Sequence, residues 1–459
     1  MSKKHTDTVL NLLSSRGSMT AVELSKLAQI SQPTISRTIR QCPEIIRIGN
    51  ARNARYARTR KLGRASNWNL YQVDTEGRPQ PFGLLHSLQQ GEFHFESSVP
   101  KEKFTYLTGT DFPSGLFPDL PWFLDDIRPQ GYIGRLFAHA SGPALGIGSN
   151  PENWSSDEAL IAIQEFGSDA PGNFILGDQA IDTFQGSKLR PNFIDENDRE
   201  AQFDLLARNM TEGSPTPQSS AGGEQPKFTI CLQRDDSSFS HSIVKFSGPI
   251  SSDNGRRWKD LLLAEERALT TLRQAELPAA KASALNSDER TYLEVERFDR
   301  IGRFGRRGVL SLRTIASTFT GRIEQPWRIQ ANELAAIGWI STEDASKLTR
   351  LNWFGHLIGN TDMHAGNASF YLNPQLPLTL CPAYDMLPML YAPNRAGDLP
   401  SRPIDPALPK PEDLSHWKPM AQLALTFWKS VSTDTQHTTD FRTIASVNQK
   451  IVRNMIAAF

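Results

Sequence analysis

Apolar positions in the first 42 residues recur at helical spacing in three short runs. Val9, Leu10, Leu12 and Leu13 mark a first helix over residues 6–15, which stops at Gly17. Thr20 with Glu23 three residues on forms a capping box, and Val22, Leu24, Leu27 and Ala28 continue as an apolar stripe. Ser31 opens a third helix, SQPTISRTIRQC, whose Pro33 is tolerated in the first turn. Ile35 and Ile39 face inward, which turns Gln32, Thr34, Ser36, Arg37 and Arg40 outward. Ile46 and Ile48 then alternate with Arg47, and Gly49-Asn50 punctuates, the signature of a β-hairpin. Arg52, Arg55 and Arg58 recur along it every third residue. Helix, helix–turn–helix and an arginine-rich hairpin together predict a winged helix-turn-helix, with the third helix in a major groove and the hairpin arginines on phosphate or in the minor groove.

Beyond this head the pattern changes. WNLYQV alternates and predicts a strand-rich connector over residues 65–100. Residues 101–205 mix short strands and turns with one helix near 156–165, and residues 206–218 are a polar loop. After about residue 310 helical spacing dominates: 342–358 with Leu348, Leu351, Phe354, Leu357 and Ile358 on one side, then 413–430 and 438–457. Six prolines between 392 and 412 predict a long surface loop.

Charge sharpens this division. The chain has 459 residues with 50 basic and 50 acidic side chains. Residues 1–64 hold 13 Lys and Arg against three acids, a net of +10, and the rest carries −10. A basic head on an acidic body is the asymmetry of a nucleic-acid-binding module joined to one that does something else. No run approaches 18 apolar residues and the basic start lacks an apolar core, which predicts neither a membrane span nor a secretory signal, hence a cytoplasmic chain. Three scattered cysteines give no disulfide framework and no zinc pattern.

Four segments of the body stand in the order that phosphoryl transfer needs. SSAGGEQPKF offers Gly222 and Gly223 for close backbone approach to phosphates, with Lys227 as a charge. HSIVKF places Lys245 in a strand, and LLLAEERALTTLRQ follows as a helix whose Glu265 or Glu266 can pair with it; Glu265 is the preferred partner. TYLEVERFDR is a strand leaving a small β lobe, where backbone around Glu296 to Phe298 can bond adenine. GNTDMHAGNASF sets Asp362 and Asn367 five apart, the D-x-x-x-x-N spacing of a kinase catalytic loop. Asp362 would accept the proton of a substrate hydroxyl, while Asn367 and Asp385, 18 residues further on, would offer oxygens to Mg²⁺. His364 either orders the loop or contacts phosphate.

On these residues the body resembles the HipA-type serine/threonine kinases, toxins of bacterial toxin–antitoxin systems. The matching stretches are SSAGGEQPK, HSIVKF, AEERALTTL, VERFDR, GNTDMHAGNASF and LCPAYDML, with LPWFLDDIRPQGYIGR and DAPGNFILG similar to the family's N-terminal subdomain. A winged helix fused ahead of such a body resembles the YjjJ branch. The resemblance implies Asp362 as catalytic base, Asn367 and Asp385 on Mg²⁺, and Lys227 and Lys245 on ATP. It also implies autophosphorylation at Ser219 or Ser220, and a HipB-like antitoxin as partner.

The fold expected is α+β: a winged helix-turn-helix (1–64), a connector with a HipA-type N-terminal subdomain (65–205), the ATP-binding part of a kinase N-lobe (206–300) and a helical C-lobe (301–459). The function expected is an ATP-dependent serine/threonine protein kinase that inhibits growth and carries its own reader of double-stranded DNA. Two rivals remain: a DNA-binding transcription regulator whose kinase-like body is a silent sensor, and a small-molecule kinase.

Overall fold

Thr20 caps its helix as its spacing predicts. Its hydroxyl accepts from the Glu23 amide, and the Glu23 carboxylate accepts in return from the Thr20 amide at 2.7 Å. Helices α1 (Lys3–Arg16), α2 (Ala21–Ala28) and α3 (Gln32–Arg40) gather over a three-stranded sheet in the order β1 (Met19–Thr20), β3 (Arg55–Arg58), β2 (Ile45–Ile48). Val9, Leu13, Leu24, Ile35 and Ile39 form their common core. Of the stripe expected on α2, only Leu24 is buried; Val22 and Leu27 are exposed, because an eight-residue helix on a small sheet turns just one row inward.

The computed structural model describes residues 3–50, 54–100, 102–212, 225–394 and 396–459. They divide into two compact units, residues 1–74, 78–129 and 137–187, and residues 75–77, 130–136 and 188–459. The first unit joins the head to a five-stranded antiparallel sheet of β4 (Asn67–Val73), β5 (Pro79–Ser87), β6 (Phe93–Ser97), β7 (Leu116–Phe117) and β8 (Phe174–Leu176), ordered β7-β6-β5-β4-β8. The head is not a tethered bead. Ile48 and Ala57 of the hairpin bury against Leu88, with Ile46 and Leu116 packed alongside. Arg60 pairs with Asp157, and the Ser18 amide donates to Glu92 at 3.2 Å.

Four helices, rather than one, occupy residues 131–212: α4 (Gly131–Leu145), α5 (Ser156–Phe166), α6 (Asp178–Leu189) and α7 (Arg199–Glu212). α4 contains three glycines and Pro143, which local propensity reads as breaks. Burial of Ala138 with Ile147, Trp154 and Ala162 outweighs them. α7 also takes the first part of the loop expected at 206–218, since Phe203 and Ala207, four apart, reach a shared core.

In the second unit β9 (Ile194–Asp195), β10 (Lys227–Gln233), β11 (Phe239–Phe246), β12 (Ala282–Asn286) and β13 (Thr291–Glu296) form a sheet ordered β12-β13-β11-β10-β9. Helix α8 (Asp253–Gln274) lies on it through Leu262, against Leu293 and Val295. A β-ribbon of β14 (Arg300–Ile301) and β15 (Gly305–Arg306) follows, then β16 (Val309–Ser311), α9 (Leu312–Phe319), α10 (Trp327–Ala336) and α11 (Thr342–Leu357). Strands β17 (Ser369–Tyr371) and β18 (Thr379–Leu380) close a small sheet ordered β16-β17-β18 that the helical pattern hid. Helices α12 (Leu414–Thr433) and α13 (Thr439–Ala457) end the chain, and all five apolar residues expected on α11 are buried. Among the described residues no helix is long and apolar enough to cross a membrane.

The hairpin contact is testable. Ile48→Ala should lower the stability of the first unit by about 2–4 kcal/mol, read as a lower urea midpoint. A loss under about 0.5 kcal/mol, the size of a surface effect, would mean that the hairpin is not built into the sheet.

Candidate active site

The site begins with a register. β10 and β11 pair antiparallel with Lys227 directly opposite Lys245, so both ammonium groups leave the same face of the sheet. Two like charges so placed need negative charge nearby. α8 supplies it: Ser252 caps the helix, and Leu261, Leu262 and Ala264 seat it so that Glu265 is fully buried. Lys245 Nζ lies 2.6 Å from both Glu265 oxygens and 2.5 Å from Asp385 Oδ1. The neighbouring Glu266 turns away and accepts from the Ala284 amide at 3.0 Å.

Asp385 is reached by a second path. Two residues beyond α11 the chain turns at Gly359 (φ +75°), where a Cβ would stand 2.9 Å from Ile404 Cγ2. The chain then runs without regular structure through Asn360, Asp362 and His364 to a 3-10 turn at Ala365–Asn367. Side chains replace the missing backbone ladder. Asn360 Oδ1 accepts from the Asp362 amide at 3.1 Å and its Nδ2 donates to the Asp385 carbonyl at 3.0 Å. Asn367 Nδ2 donates to the Asp362 carbonyl at 2.8 Å. Trp327 Nε1 donates to the His364 carbonyl and Tyr384 donates to the Gly366 carbonyl. Asp385 itself sits at φ +52°, a left-handed conformation that costs a non-glycine residue about 1–2 kcal/mol.

The electrostatics follow from burial. Burial opposes the charge on Lys245, but Asp385 and Glu265 outweigh it and hold the ammonium above its usual range. Burial would also raise the Asp385 carboxyl, yet Lys245, helped by Lys227, pulls it down to about 2. Glu265 is pushed up by complete burial, and Lys245 works against that push. Asp385 is therefore an ionised oxygen donor at any ordinary pH. Asn367 has its nitrogen committed to Asp362, which leaves its oxygen as the donor for a cation. Among the described residues no group of three or more His, Cys, Asp or Glu is placed to hold a metal ion. Two oxygens without a protein cage suit Mg²⁺, which keeps water and phosphate oxygens among its ligands.

A cavity of about 1000 Å³ opens at Asp362 and His364, walled also by Arg313, Asn352, His356 and Arg402. Lys245 and Asp385 are not part of its wall.

Other expected site residues are placed less simply. Around the strand exit, where backbone groups are expected to bond adenine, the Glu296 amide donates to the Lys281 carbonyl and the Arg297 amide to the His241 carbonyl. Phe298 packs between Tyr371 and Tyr384. His364 Nδ1 accepts from the Gly366 amide at 3.0 Å, a loop-ordering bond. In the head, Gln32, Arg37, Arg40 and Arg47 are exposed, and Thr34 and Ser36 half-buried. Arg55 and Arg58 do not point free to a partner: Arg55 Nε donates to Ser18 at 3.0 Å, and Arg58 pairs with Glu44 at 2.7 Å and donates to Ser14. Ser219, Ser220, Gly222, Gly223 and Arg52 lie outside the described residues. Asn360 was not singled out by the sequence; its one signal is a polar residue just after a left-handed glycine and two before Asp362.

Residues 64–185 match the family described as the YjjJ-like toxin middle domain, and residues 219–457 match the HipA-like C-terminal domain. Over 445 residues the chain is 34% identical to "Toxin YjjJ" of Escherichia coli (strain K12), covering 96% of both chains. The chain belongs to the YjjJ-like branch of the HipA toxin family. Its fold also resembles a chain from the Shewanella oneidensis MR-1 complex of HipA, HipB and operator DNA, with a TM-score of 0.53 and 14% identity, over 85% of this chain and 97% of that one. The four residues Lys245, Glu265, Asp362 and Asp385 all fall within the HipA-like match.

Lys245→Met would leave two carboxylates facing a vacated cation. The expected loss at pH 8 is about 3–5 kcal/mol. A buried carboxyl raised in the fold gives stability at low pH that disappears as pH climbs through its folded value. The variant should therefore melt higher at pH 5 than at pH 8, as Glu265 takes up a proton. A variant as stable as wild type at pH 8, or one whose deficit is the same at both pH values, would refute the ion pair.

Proposed function

We propose that this chain is an ATP-dependent serine/threonine protein kinase that acts as a growth-inhibiting toxin. The observation that carries the reading is the buried Lys245, held by Glu265 and touching Asp385, beside the loop that presents Asp362 at a cavity. Lys245 and Lys227 would draw the phosphates of ATP to the face of the sheet, with the adenine against Phe298. Asn367 and Asp385 would hold Mg²⁺, whose charge screens the transferring phosphoryl group. The substrate hydroxyl would enter through the cavity and give its proton to the Asp362 carboxylate. Gly222 and Gly223 would close over the phosphates, and Ser219 or Ser220 beside them would receive one in self-inactivation.

Family membership supports the toxin reading. The first 64 residues read best as a winged helix-turn-helix, supported by the α1-β1-α2-α3-β2-β3 order and the exposed Gln32, Arg37 and Arg40 of α3. The related HipA is solved with HipB and operator DNA. In this chain the basic head would bring the DNA contact itself, and a HipB-like antitoxin is the partner class to seek.

Overproduction should arrest growth, and Asp362→Ala should relieve it with at least a 10²-fold loss of phosphoryl transfer, about what a missing base costs. Phosphate on Ser219 or Ser220 should appear in wild type and be absent from Asp362→Ala by mass spectrometry. An Asp362→Ala chain that stays fully toxic at equal expression would put the toxicity elsewhere.

Arg55 and Arg58 are engaged within the fold, so duplex binding should be weaker in its salt dependence than the net charge suggests. With about three or four phosphates neutralised, log K should fall against log salt with a slope near −3. Arg37→Ala and Arg40→Ala should each weaken binding, whereas Arg58→Ala should leave the slope unchanged. Fluorescence anisotropy over a salt series decides this. A steeper slope that Arg58→Ala makes shallower would return the hairpin arginines to the DNA.

A further inference from the structure

We propose that Asn360 is a positioning residue that holds the two reactive carboxylates, Asp362 and Asp385, in one fixed arrangement. The inference rests on the kinase reading above and deepens it. Asn360 is only 4% exposed. Its carboxamide bonds both segments, with Oδ1 on the Asp362 amide at 3.1 Å and Nδ2 on the Asp385 carbonyl at 3.0 Å. Its own amide donates to the Gly355 carbonyl at 2.9 Å, which ties this bridge to the end of α11.

The chemistry explains the residue type. One partner is a donor and the other an acceptor, so the bridge needs both functions on a short stem. Asparagine supplies them; aspartate would set a second acceptor against the Asp385 carbonyl, and alanine would supply neither. The bridge matters because Asp385 is held at φ +52°. A residue in that region stays there only while its surroundings over-determine it. Lys245 fixes the Asp385 carboxylate and Asn360 fixes its carbonyl, at opposite ends of the residue. Removing the carbonyl anchor lets the peptide after Asp385 rotate toward ordinary backbone and carries the carboxylate with it. The same loss frees the Asp362 amide, so the distance between base and cation ligand is no longer set. Lys245 and Glu265 do not touch Asn360, so their hold on a nucleotide should survive.

The test uses the full chain, Mn²⁺ as a spin probe and a non-hydrolysable ATP analogue. In Asn360→Ala the Mn²⁺ dissociation constant measured by EPR with the analogue bound should rise about 10-fold or more, the usual effect of losing a group that orients a metal ligand. Analogue binding without metal should change less than about twofold, within the spread of a neutral change. Asn360→Asp keeps the acceptor for Asp362 and loses the donor to Asp385, so it should share the metal defect. On an Asp385→Ala background, Asn360→Ala should have no further effect on Mn²⁺. Wild-type Mn²⁺ affinity in Asn360→Ala would overturn the proposal. So would an equal loss of metal-free analogue binding in both variants, which marks a folding defect. A wild-type chain that binds neither analogue nor Mn²⁺ would instead overturn the kinase reading itself.

Discussion

An ammonium group taken out of water must be answered by charge at close range, and Lys245 is answered twice. It is 5% exposed, with Glu265 on one side and Asp385 on the other. A charge that far inside is costly when unpaired, so Lys245 and the equally deep Glu265 depend on each other, with the half-buried Asp385 completing the set. The dependence reaches outward. Lys245 requires β11 to sit centrally between β10 and β13, Glu265 requires α8 to lie flat on that sheet, and Asp385 requires its left-handed backbone. A fold that must satisfy this triad has little freedom in how its sheet, its long helix and the segment after β18 are arranged.

The loop between α11 and β17 shows the complementary constraint. Backbone amides that leave regular structure still need partners when buried. Here Asn360 accepts from the Asp362 amide, while Asn367, Trp327 and Tyr384 donate to the carbonyls of Asp362, His364 and Gly366, and together they replace a ladder. An irregular segment held this way keeps a fixed shape while leaving Asp362 exposed at the cavity. Rigidity and access are both obtained because these bonds engage the backbone, through two asparagines of the loop and two aromatic residues outside it, while Asp362 stays exposed.

What could be read from the sequence was what spacing controls. Thr20 and Glu23 are local partners, the buried side of α11 repeats at helical period, and Glu265 stands on the same helix face as its buried neighbours. What could not be read depends on distant partners. α4 looks broken by Gly131, Gly134, Gly142 and Pro143 until Ile147 and Trp154 are packed against it. Arg55 and Arg58 look like phosphate contacts until Ser18, Ser14 and Glu44 are found beside them. Asn360 obeys no period at all, since one of its bonds reaches Asp385, 25 residues on. The roles of Ser219, Gly222 and their neighbours rest on sequence and resemblance alone.

The two compact units also locate the charge that opposes the basic head. Residues 65–187 hold 16 acidic side chains against five basic, whereas residues 188–459 hold 31 against 32. The acidity of the body therefore belongs almost entirely to the segment that shares a compact unit with the basic head. Some of that opposition is already joined, as in Arg60 with Asp157. Within the head, Arg58 is likewise matched by Glu44. Exposed charges interact over roughly 8 Å at physiological salt, so an acidic neighbour packed on the hairpin lowers the field around it. The formal +10 of residues 1–64 thus overstates the attraction a duplex would meet. The exposed Arg37, Arg40 and Arg47 keep theirs, so any attraction to a duplex would be strongest at the face that carries them.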